Sequence, residues 1–380
     1  MFDNFDLVVV GSGLFGSVTA EQASRDGFRV AVIESRAHIG GNCYTEDDAT
    51  TGINIHKYGP HIFHTSNDTI WNYIQQFTKF NNYHHQVRSV YNGRTYGIPI
   101  TLDTINSFYN ENFTPAEARQ FVEAMRVKNP NPQNFEEQAL ALIGPGLYEA
   151  FIRGYTLKQW ETDPKDLPAS VARRLPVRFN YDNTYWQDTW SGIPVGGYTP
   201  IFERMLDHEN IQVFLNTDWF DVAGQVKDKL VIYTGAIDRY YDYCYGRLAW
   251  RTLDFEFQTF DTGDYQGIAA INYPDAAVPY TRSIEHRHFH PERRYDPDRT
   301  VVNFEYSRAA QPGDVEYYPV NRPADRRCFE QYRDRADQEA NVIFGGRLGE
   351  YMYYDMHQVI GSALSAYQKK VKIRLTKQTN

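Results

Sequence analysis

Short apolar runs and helical apolar spacings alternate at the start of the chain. Residues 6–10, DLVVV, form an apolar run typical of a buried strand, and GSGLFG follows them. The next stretch has helical apolar spacing through Leu14, Val18 and Ala23. RVAVIE, which closes on Glu34, predicts a second buried strand. The sequence therefore predicts a strand–turn–helix–strand unit at the N-terminus.

From about Ser66 the apolar spacing becomes helical, beginning with SNDTIWNYIQQF. FTPAEARQFVEAM predicts a helix that has Thr114 as N-cap, Pro115 at its first position and Glu117 completing a capping box. NFEEQALALIGPGLYEAFIRGYTLKQW predicts two further helices broken at GPG, and the proline-rich residues 161–180 predict a loop. This part of the chain is therefore expected to form a helical insertion.

The second half of the chain has the pattern of strands. LVIYTG, RTLDFEFQTF, QGIAAINY and RTVVNFEYS are enriched in β-branched and aromatic residues, and the second of them nearly alternates. NVIFGG predicts another short buried strand, and MHQVIGSALSAYQKK predicts a closing helix. We therefore expect a nucleotide-binding α/β core, a helical insertion and a mostly antiparallel sheet.

Composition and charge narrow the possible functions. The 380 residues include 39 lysines and arginines against 48 aspartates and glutamates, so the net charge is −9 and the chain is not expected to coat nucleic acid. Its cysteines, Cys43, Cys244 and Cys328, are far apart, which favours reduced thiols in the cytoplasm over disulfides, and no metal site is expected. We expect no signal peptide, and no segment approaches the roughly 20 apolar residues that span a bilayer.

The first strand–turn–helix contains the pattern G-x-G-x-x-G, formed by Gly11, Gly13 and Gly16. The first glycine allows the tight turn, the second lets a pyrophosphate approach the backbone, and the third lets helix and strand pack closely. Glu34 closes the second strand, where a carboxylate can accept the adenosine ribose hydroxyls. With the helix N-terminus facing the phosphates, the unit predicts a dinucleotide site.

Two downstream motifs favour FAD over NAD. ESRAHIGGN places Arg36 and Gly40–Gly41 just beyond the acidic residue, a pattern that resembles FAD proteins. VIFGGRLGEYMYYDM places a strand, a glycine pair and Arg347 before a helix, as FAD proteins do where they complete the flavin site. Taken alone, GGRLG could be only a turn, but together with the N-terminal motif it makes FAD the better interpretation.

Seven motifs spread over nearly the whole chain resemble one known family. GPHIFHT (59–65), GYTLKQW (154–160), GIPVGGYT (192–199), YTRSIEH (280–286), EYSR (305–308), YYPV (317–320) and GRLGEYMYYDMH (346–357) together look like the UDP-galactopyranose mutases of the bacterial type. The resemblance implies a Rossmann-like FAD-binding domain with a helical insertion domain and a six-stranded antiparallel β-sheet domain. We expect the FAD-binding domain over 1–70 with 210–234 and 340–380, the helical substrate domain over 100–190 with a mobile loop near 161–180, and the sheet domain over 80–99 and 235–339.

The resemblance implies an isomerase that interconverts UDP-galactopyranose and UDP-galactofuranose for galactofuranose-containing cell-surface glycans. The sugar ring cannot open while C1 carries UDP, so C1 must be held covalently while UDP departs. In the implied mechanism N5 of reduced FAD attacks C1, the ring opens, O4 closes onto C1 and UDP returns. There is no net redox change, although the flavin must be reduced by an electron donor such as NAD(P)H. Family members are homodimers or assemblies of dimers, so the same is expected here.

The resemblance also implies catalytic roles for two arginines and two histidines. Arg174 matches the family's mobile-loop arginine and Arg282 its fixed partner across the site, where both would stabilise the departing diphosphate. His61 and His64 of GPHIFHT are expected near the flavin ring, either sensing its redox state or in a structural role. No contacts are assigned in 79–93, where the sequence departs from the family's usual motifs.

The binding residues implied by the resemblance fall into two sets. The substrate set has Tyr317 as an alternative to Tyr318 for the diphosphate contact, and consists of Phe151, Tyr155, Thr156, Trp160, Arg174, Tyr185, Arg251, Asn272, Arg282, Tyr318 and Tyr353. The cofactor set consists of Gly11, Gly13, Phe15, Gly16, Glu34, Ser35, Arg36, Gly41, Asn42, His61, Ile62, Arg347, Tyr354, Asp355 and Met356.

Two other readings use the same N-terminal motif. The first is a flavin-dependent amine oxidase-like oxidoreductase, which shares the motif GSGLFG…ES…GGN. The arginines and tyrosines of this chain, however, suit the binding of a diphosphate better than that of an apolar amine. A binding protein such as the prenylated-GTPase dissociation inhibitors keeps the glycine motif without flavin catalysis, whereas this chain keeps the flavin-side GRLG. FAD absorbance of the purified protein would exclude the binding protein.

Overall fold

A computed structural model describes residues 2–172, 175–226 and 228–379. Its first sheet has five parallel strands, which include the two predicted near the N-terminus and others from the middle and the C-terminal part of the chain. In spatial order the strands are Val342–Phe344, Leu230–Tyr233, Leu7–Val10, Val30–Ile33 and Ile211–Phe214.

The parallel sheet is covered on both faces, because alternate side chains of its strands point to opposite sides. Leu7 and Val9 pack on one face, and Val8 and Val10 pack on the other. The helices that contribute to the first face include Leu14–Arg25, Thr199–Leu206 and Met356–Ala366. This burial on both sides explains why the strands read as continuous apolar runs.

The second sheet has seven strands and is antiparallel at every pairing except one. Asn272 and its two preceding residues pair in parallel with the strand that begins at Val87. The sheet has seven strands where six antiparallel ones were expected, and the hairpin over 87–98, in the range expected for the sheet domain, supplies two of them. In spatial order the strands are Tyr318–Pro319, Trp250–Phe260, Thr300–Ala309, Arg282–Glu285, Ala270–Asn272, Val87–Tyr91 and Arg94–Ile98.

The helical insertion has its own apolar core. The predicted start of its helix at Pro115 and the predicted break at GPG are confirmed. Thr114 and Glu117 form the capping box, and Gly144 has a positive φ of 74° where GPG interrupts the helical pattern. Its elements are Leu102–Tyr109, Pro115–Met125, Phe135–Leu147, the π-helical Tyr148–Arg153 and Gly154–Trp160. The mixed α/β fold with a parallel and a mostly antiparallel sheet is therefore the predicted fold class.

Shorter elements complete the described part of the chain. The predicted loop near 161–180 contains two short helices, Pro164–Asp166 and Ala169–Ala172. Among the described residues, no helix is both long and apolar enough to cross a membrane. The remaining elements are Gly41–Cys43, Thr45–Asp47, Asn54–His56, Phe63–Thr65, Asp68–Ile74, Trp190–Gly192, Trp219–Val222, Ala223–Gln225, Ile237–Tyr240, His286–Phe289, Pro323–Ala336, Gly346–Gly349, Tyr367–Val371 and Lys372–Thr379.

Candidate active site

A cavity of about 380 Å³ lies at the carboxyl edge of the parallel sheet. Parallel strands end at the same edge, so the residues that follow all five of them meet here. The predicted cofactor residues that line it are Gly11, Gly13, Phe15, Glu34, Ser35, Arg36, Gly41, Asn42, His61, Arg347, Tyr354 and Met356.

The glycine-rich turn has the shape that a dinucleotide requires. Gly11 has a φ of +99°, which side chains rarely adopt, and a Cβ on Gly16 would overlap the Gly11 carbonyl oxygen. A Cβ on Gly13 would meet no atom of the described residues within 4 Å, and this residue lines the cavity. Strain and packing therefore explain the outer two glycines, while the middle one keeps cavity space open.

The Glu34 carboxylate organises the turn. Its Oε2 accepts hydrogen bonds from the Ser12 backbone N–H at 3.0 Å and from the Ser12 hydroxyl at 2.7 Å. Its Oε1 accepts from the Arg36 backbone N–H at 3.0 Å. The buried carboxylate thus ties the glycine-rich turn to the end of the second strand and still borders the cavity.

Arg36 provides the test of whether the cavity fits a diphosphate. Its Nη2 donates to Asn42 Oδ1 at 2.9 Å, and its guanidinium carbon lies 4.5 Å from the centroid of the Tyr58 ring. Its Nη1 is buried and has no hydrogen-bond partner among the described residues. A buried cationic donor without a partner is costly, so an anionic group in the cavity would satisfy it. The residues present therefore fit a dinucleotide.

Arg347 lies where the cavity borders a group of tyrosines. Its Nη1 donates to the Tyr317 carbonyl at 3.0 Å, and its Nη2 donates to the Tyr354 carbonyl at 2.6 Å. Its guanidinium carbon lies 5.3 Å from the Tyr353 ring centroid and 5.9 Å from that of Tyr318. One side chain therefore lines the cofactor cavity and contacts two predicted substrate residues.

His61 also links the cavity to the substrate side. Its Nδ1 is 2.8 Å from the Gly59 carbonyl oxygen, and its backbone N–H donates to His56 Nδ1 at 2.9 Å. Burial lowers the pKa of His61 to about 4, and the charges of Arg347 and Arg282 act in the same direction. The imidazole is therefore neutral at pH 7.

His64, the second histidine of the motif, lies apart from the cavity lining. Its Nδ1 is 2.7 Å from Asp188 Oδ2, and its ring stacks on Trp186 with centroids 4.3 Å apart. Three further predicted cofactor residues also lie outside the lining: Gly16 and Ile62 are buried, and Asp355 caps the helix Met356–Ala366.

The predicted substrate residues Asn272 and Arg282 are aligned across the second sheet. Asn272 pairs in register with Arg282, and Arg282 pairs with Glu305. The Arg282 Nε forms an ion pair with Glu305 Oε2, and this carboxylate raises the pKa of Arg282 against the effect of burial. The second oxygen, Oε1, is buried without a partner among the described residues.

Two tyrosines complete this cluster. Burial raises the pKa of Tyr318 to about 12 and that of Tyr155 further, while the charge of Arg282 lowers both. The Tyr318 and Tyr353 rings have centroids 5.4 Å apart. The site therefore brings together Arg282 and tyrosine hydroxyls that remain protonated donors through the physiological range.

Other predicted substrate residues have protein partners. Phe151 packs in the helical core, with its ring centroid 5.1 Å from that of Tyr96. Tyr185 contacts Trp186, with ring centroids 4.8 Å apart, and Thr156 is buried. Arg174 lies outside the described residues.

Arg251 is only 2% exposed, and protein acceptors occupy its guanidinium. Its Nε donates to the Gln159 carbonyl at 3.0 Å, its Nη1 contacts Glu161 at 2.7 Å, and its Nη2 donates to Ser307 at 3.2 Å. Together with Trp160 it lines a second cavity, of about 360 Å³. Its place beside the sugar stays a prediction.

Comparison with known proteins identifies the family. A sequence model of the family described as UDP-galactopyranose mutase matches residues 150–353, and one described as NAD(P)-binding Rossmann-like domain matches 9–77. A probable UDP-galactopyranose mutase of Klebsiella pneumoniae is 44% identical over 95% of this chain and 94% of its own. This chain belongs to the UDP-galactopyranose mutase family.

Two further comparisons extend this finding. The dTDP-fucopyranose mutase of Escherichia coli is 40% identical over 96% of this chain and 98% of its own. A crystal structure of reduced UDP-galactopyranose mutase superposes with a TM-score of 0.72 at 14% identity, covering 97% of this chain and 96% of that one, which supports the fold. Membership confirms the predicted isomerase class and FAD as the cofactor.

Several residues of the candidate site were not predicted from the sequence. Ser12 follows the first glycine and holds Glu34, and Glu305 opens the EYSR motif and holds Arg282. The motif itself was the available signal for Glu305. The cavity residues after other parallel strands could have been inferred from their positions at strand ends; they are Thr217, Asp218, Trp219, Phe220, Thr234, Gly235 and Ala236.

Proposed function

We propose that this chain interconverts UDP-galactopyranose and UDP-galactofuranose and requires reduced FAD. The observation that carries the proposal is the position of Arg347, which lines the cofactor cavity and lies over the rings of Tyr318 and Tyr353. A nucleotide diphosphate held by those tyrosines would place its sugar next to the flavin. The product would supply galactofuranose for cell-surface glycans.

Reduced FAD supplies a nucleophilic nitrogen that can hold the anomeric carbon while the nucleotide is detached, without net redox change. The chain's own residues bind and orient the nucleotide sugar. Arg282 would stabilise the diphosphate as its charge develops, and Glu305 fixes the direction of that guanidinium through the Nε ion pair. His61, neutral and beside the cavity, can exchange hydrogen bonds with a flavin without adding a charge.

The remaining assignments extend from the family motifs and stay proposals. Arg174 would meet the diphosphate opposite Arg282 from a mobile loop near 161–180. The uridine and sugar contacts proposed are Phe151, Tyr155, Thr156, Trp160, Tyr185, Arg251, Asn272, Tyr318 and Tyr353. The FAD contacts proposed are Gly11, Gly13, Phe15, Gly16, Glu34, Ser35, Arg36, Gly41, Asn42, His61, Ile62, Arg347, Tyr354, Asp355 and Met356, with His64 supporting the ring side.

A second candidate substrate pair is dTDP-fucopyranose and dTDP-fucofuranose. It is favoured by the 40% identity to the Escherichia coli dTDP-fucopyranose mutase over 96% of this chain, only slightly below the identity to the Klebsiella enzyme. The same diphosphate and flavin chemistry would serve both pairs, so the two candidates differ only in base, pentose and C6 of the hexose.

The test is turnover of both furanose substrates by purified FAD-loaded protein, with and without dithionite, resolved by chromatography. We expect UDP-galactopyranose to form from UDP-galactofuranose only in the reduced sample, with a higher kcat/KM than for the dTDP-fucose pair. A higher kcat/KM for dTDP-fucofuranose would select the second candidate. No conversion of either substrate by the fully reduced protein would contradict both.

Location, electron donor and assembly are also proposals. The free thiols Cys43, Cys244 and Cys328 support a cytoplasmic location, where nucleotide sugars and reduced nicotinamides are available. We propose NAD(P)H as the electron donor and a homodimer, or an assembly of dimers, as the working state. Anaerobic bleaching of the flavin at 450 nm by NADPH, compared with NADH, tests the first, and sedimentation tests the second.

A further inference from the structure

The loop over 273–281 joins two strands of the mostly antiparallel sheet, and proposed substrate residues stand at both of its ends. Asn272 closes the strand before it, Arg282 opens the strand after it, and the two are partners in register. Any displacement of this loop would therefore move both residues. We call residues 272–282 the substrate hairpin.

The helix Gly154–Trp160, which carries Tyr155 and Thr156, contacts this loop closely. A Cβ on Gly154 would overlap the Pro274 carbonyl oxygen, so the helix backbone lies directly against the loop backbone. The charge of Arg282 acts on the Tyr155 phenol, which shows that helix and hairpin contribute neighbouring groups to one site.

Lys158 connects the helix Gly154–Trp160 to the loop over 273–281 by hydrogen bonds. Its Nζ donates to the backbone carbonyls of Asp275, Val278 and Tyr280, each at 2.9 Å. An ammonium has three N–H donors and no acceptor, so these bonds use its whole capacity. Three carbonyls converging on one cation hold the loop in a fixed shape and at a fixed distance from the helix.

The opposite side of the helix is attached to the same sheet. The Gln159 carbonyl accepts from Arg251 Nε at 3.0 Å and from the Ser307 hydroxyl at 2.7 Å. This attachment reaches the strands Trp250–Phe260 and Thr300–Ala309, but not the substrate hairpin. Lys158 is thus the side chain whose three bonds tie the hairpin itself to the helix.

We propose that Lys158 is a positioning residue of the mutase, and that its ammonium sets the placement of Arg282 and Asn272 relative to Tyr155. This inference rests on the proposed function. Lys158 stays outside the reacting groups, because its Nζ is occupied by backbone carbonyls. The consequence is a link between the protonation of one lysine and the geometry of nucleotide binding.

That link operates in an accessible pH range. Burial lowers the pKa of Lys158 to about 8, against the opposing charge of Asp275, the ionisable group of the loop that acts on it. Tyr280, also on the loop, has a raised pKa, and Glu161 beyond the helix is paired with Arg251. The neutral amine has only two N–H donors and turns a lone pair toward the third carbonyl. The hydrogen bonding between Lys158 and the loop should therefore weaken as the pH rises above about 8.

The experiment compares Lys158→Met, Lys158→Arg and the control Lys128→Met, an exposed lysine of the helical insertion, in the FAD-loaded enzyme. The readout is kcat/KM for UDP-galactofuranose from pH 6.5 to 9.5 under dithionite. We expect wild type and the control to lose activity with a midpoint near pH 8. Tyr318, whose pKa is about 12, and Tyr155 remain protonated throughout, so they do not produce this loss.

Lys158→Met should lower kcat/KM roughly 10- to 100-fold at pH 7, as expected when binding groups are misplaced by about an ångström, and should lack the alkaline loss. Lys158→Arg should retain more activity and keep it above pH 8, because a guanidinium does not lose its proton there. Unchanged kcat/KM in Lys158→Met, or an alkaline loss that persists in it, would overturn the proposal.

Failure of the proposed function and failure of the proposed role of Lys158 give different results in this experiment. If wild type converts neither nucleotide sugar, the proposed function fails before Lys158 is tested. If Lys158→Met does not retain FAD, FAD-loaded Lys158→Arg decides: an alkaline loss as large as that of wild type would overturn the role of Lys158 in an otherwise active mutase.

Discussion

At the scale of single residues, Arg251 and Arg282 differ in how much of the guanidinium the protein engages. Arg251 has all three of its nitrogens engaged by protein oxygens, whereas Arg282 donates to Glu305 through Nε. Arg282 is also 25% exposed against 2% for Arg251. The sequence places both in strands with similar neighbours, so this difference follows from tertiary contacts.

Arg282→Ala should therefore reduce turnover while the protein remains folded and yellow. Loss of a charged donor that acts as the diphosphate departs costs roughly 10²–10³ in kcat, by analogy with deletion of an oxyanion donor. Arg174→Ala should act similarly, and exposed Arg294→Ala is the control. Initial rates with UDP-galactofuranose under dithionite check this, and near-normal turnover in Arg282→Ala would refute the assigned role.

Gly13→Val tests whether the space beside Gly13 in the cavity holds the pyrophosphate of the cofactor. The added side chain would extend into space that is open in the protein and that we assign to the pyrophosphate, so the variant should purify colourless yet folded. Gly224→Val is the matched control, because among the residues that the structure describes its Cβ also meets nothing within 4 Å, and it lies outside the cavity lining. The ratio of flavin absorbance to protein absorbance gives the result; a flavin-replete Gly13→Val would mean that the motif is misread.

At the scale of elements, local sequence predicted the ends of helices better than the contacts between them. Thr114 and Glu117 form their capping box within four residues, so the signal is complete in the sequence. The joining of the hairpin over 87–98 to the second sheet depends on pairing with 270–272, far along the chain. The resemblance places 80–99 in the sheet domain, but the parallel register of that pairing leaves no local signal.

Gly154→Ala tests how closely the helix Gly154–Trp160 approaches the substrate hairpin. Helix propensity alone favours alanine by about 1 kcal/mol. The new methyl group would overlap the Pro274 carbonyl oxygen, and backbone cannot yield as a side chain can, so overpacking should cost about 1–3 kcal/mol. The overlap should prevail: we expect a lower free energy of unfolding in urea and a raised KM for the nucleotide sugar.

Gly361→Ala, in the helix Met356–Ala366, provides the comparison, because its Cβ would meet only the flexible end of Ile70 at 3.1 Å. That variant should be close to neutral in stability and in KM. Equal stability of the two variants would show that the approach at Gly154 is looser than the structure indicates.

At the scale of the whole molecule, several histidines are buried. The pKa of His85 is lowered to about 3 and that of His286 to about 4, chiefly by burial, and His56 is lowered well below its usual value. His61 N–H donates to His56 Nδ1, and His56 N–H donates to His286 Nδ1. These imidazoles are neutral in the folded protein, and those of His56 and His286 accept hydrogen bonds from backbone N–H groups.

The free energy of unfolding should therefore fall as the pH drops below about 6.5, where histidines of the unfolded chain take up protons. The folded histidines stay neutral until about pH 4, so the unfolded state binds more protons and stability decreases by up to about 1.4 kcal/mol per pH unit for each histidine. Between pH 6.5 and 7.5 these histidines are neutral in both states, and the profile should be level there. The measurement is urea unfolding from pH 7.5 to 5, at a constant FAD concentration.

A matched pair of variants isolates the histidine contribution, because the raised pKa values of the buried carboxyls Glu316 and Glu350 act in the opposite direction at lower pH. His85→Phe keeps a ring against Trp186 and removes one titrating group, so its decline below pH 6.5 should be shallower than in wild type. Exposed His208→Gln should leave the slope unchanged. If both variants lose stability as steeply as wild type, His85 is not held neutral by burial, and the acid sensitivity has another source.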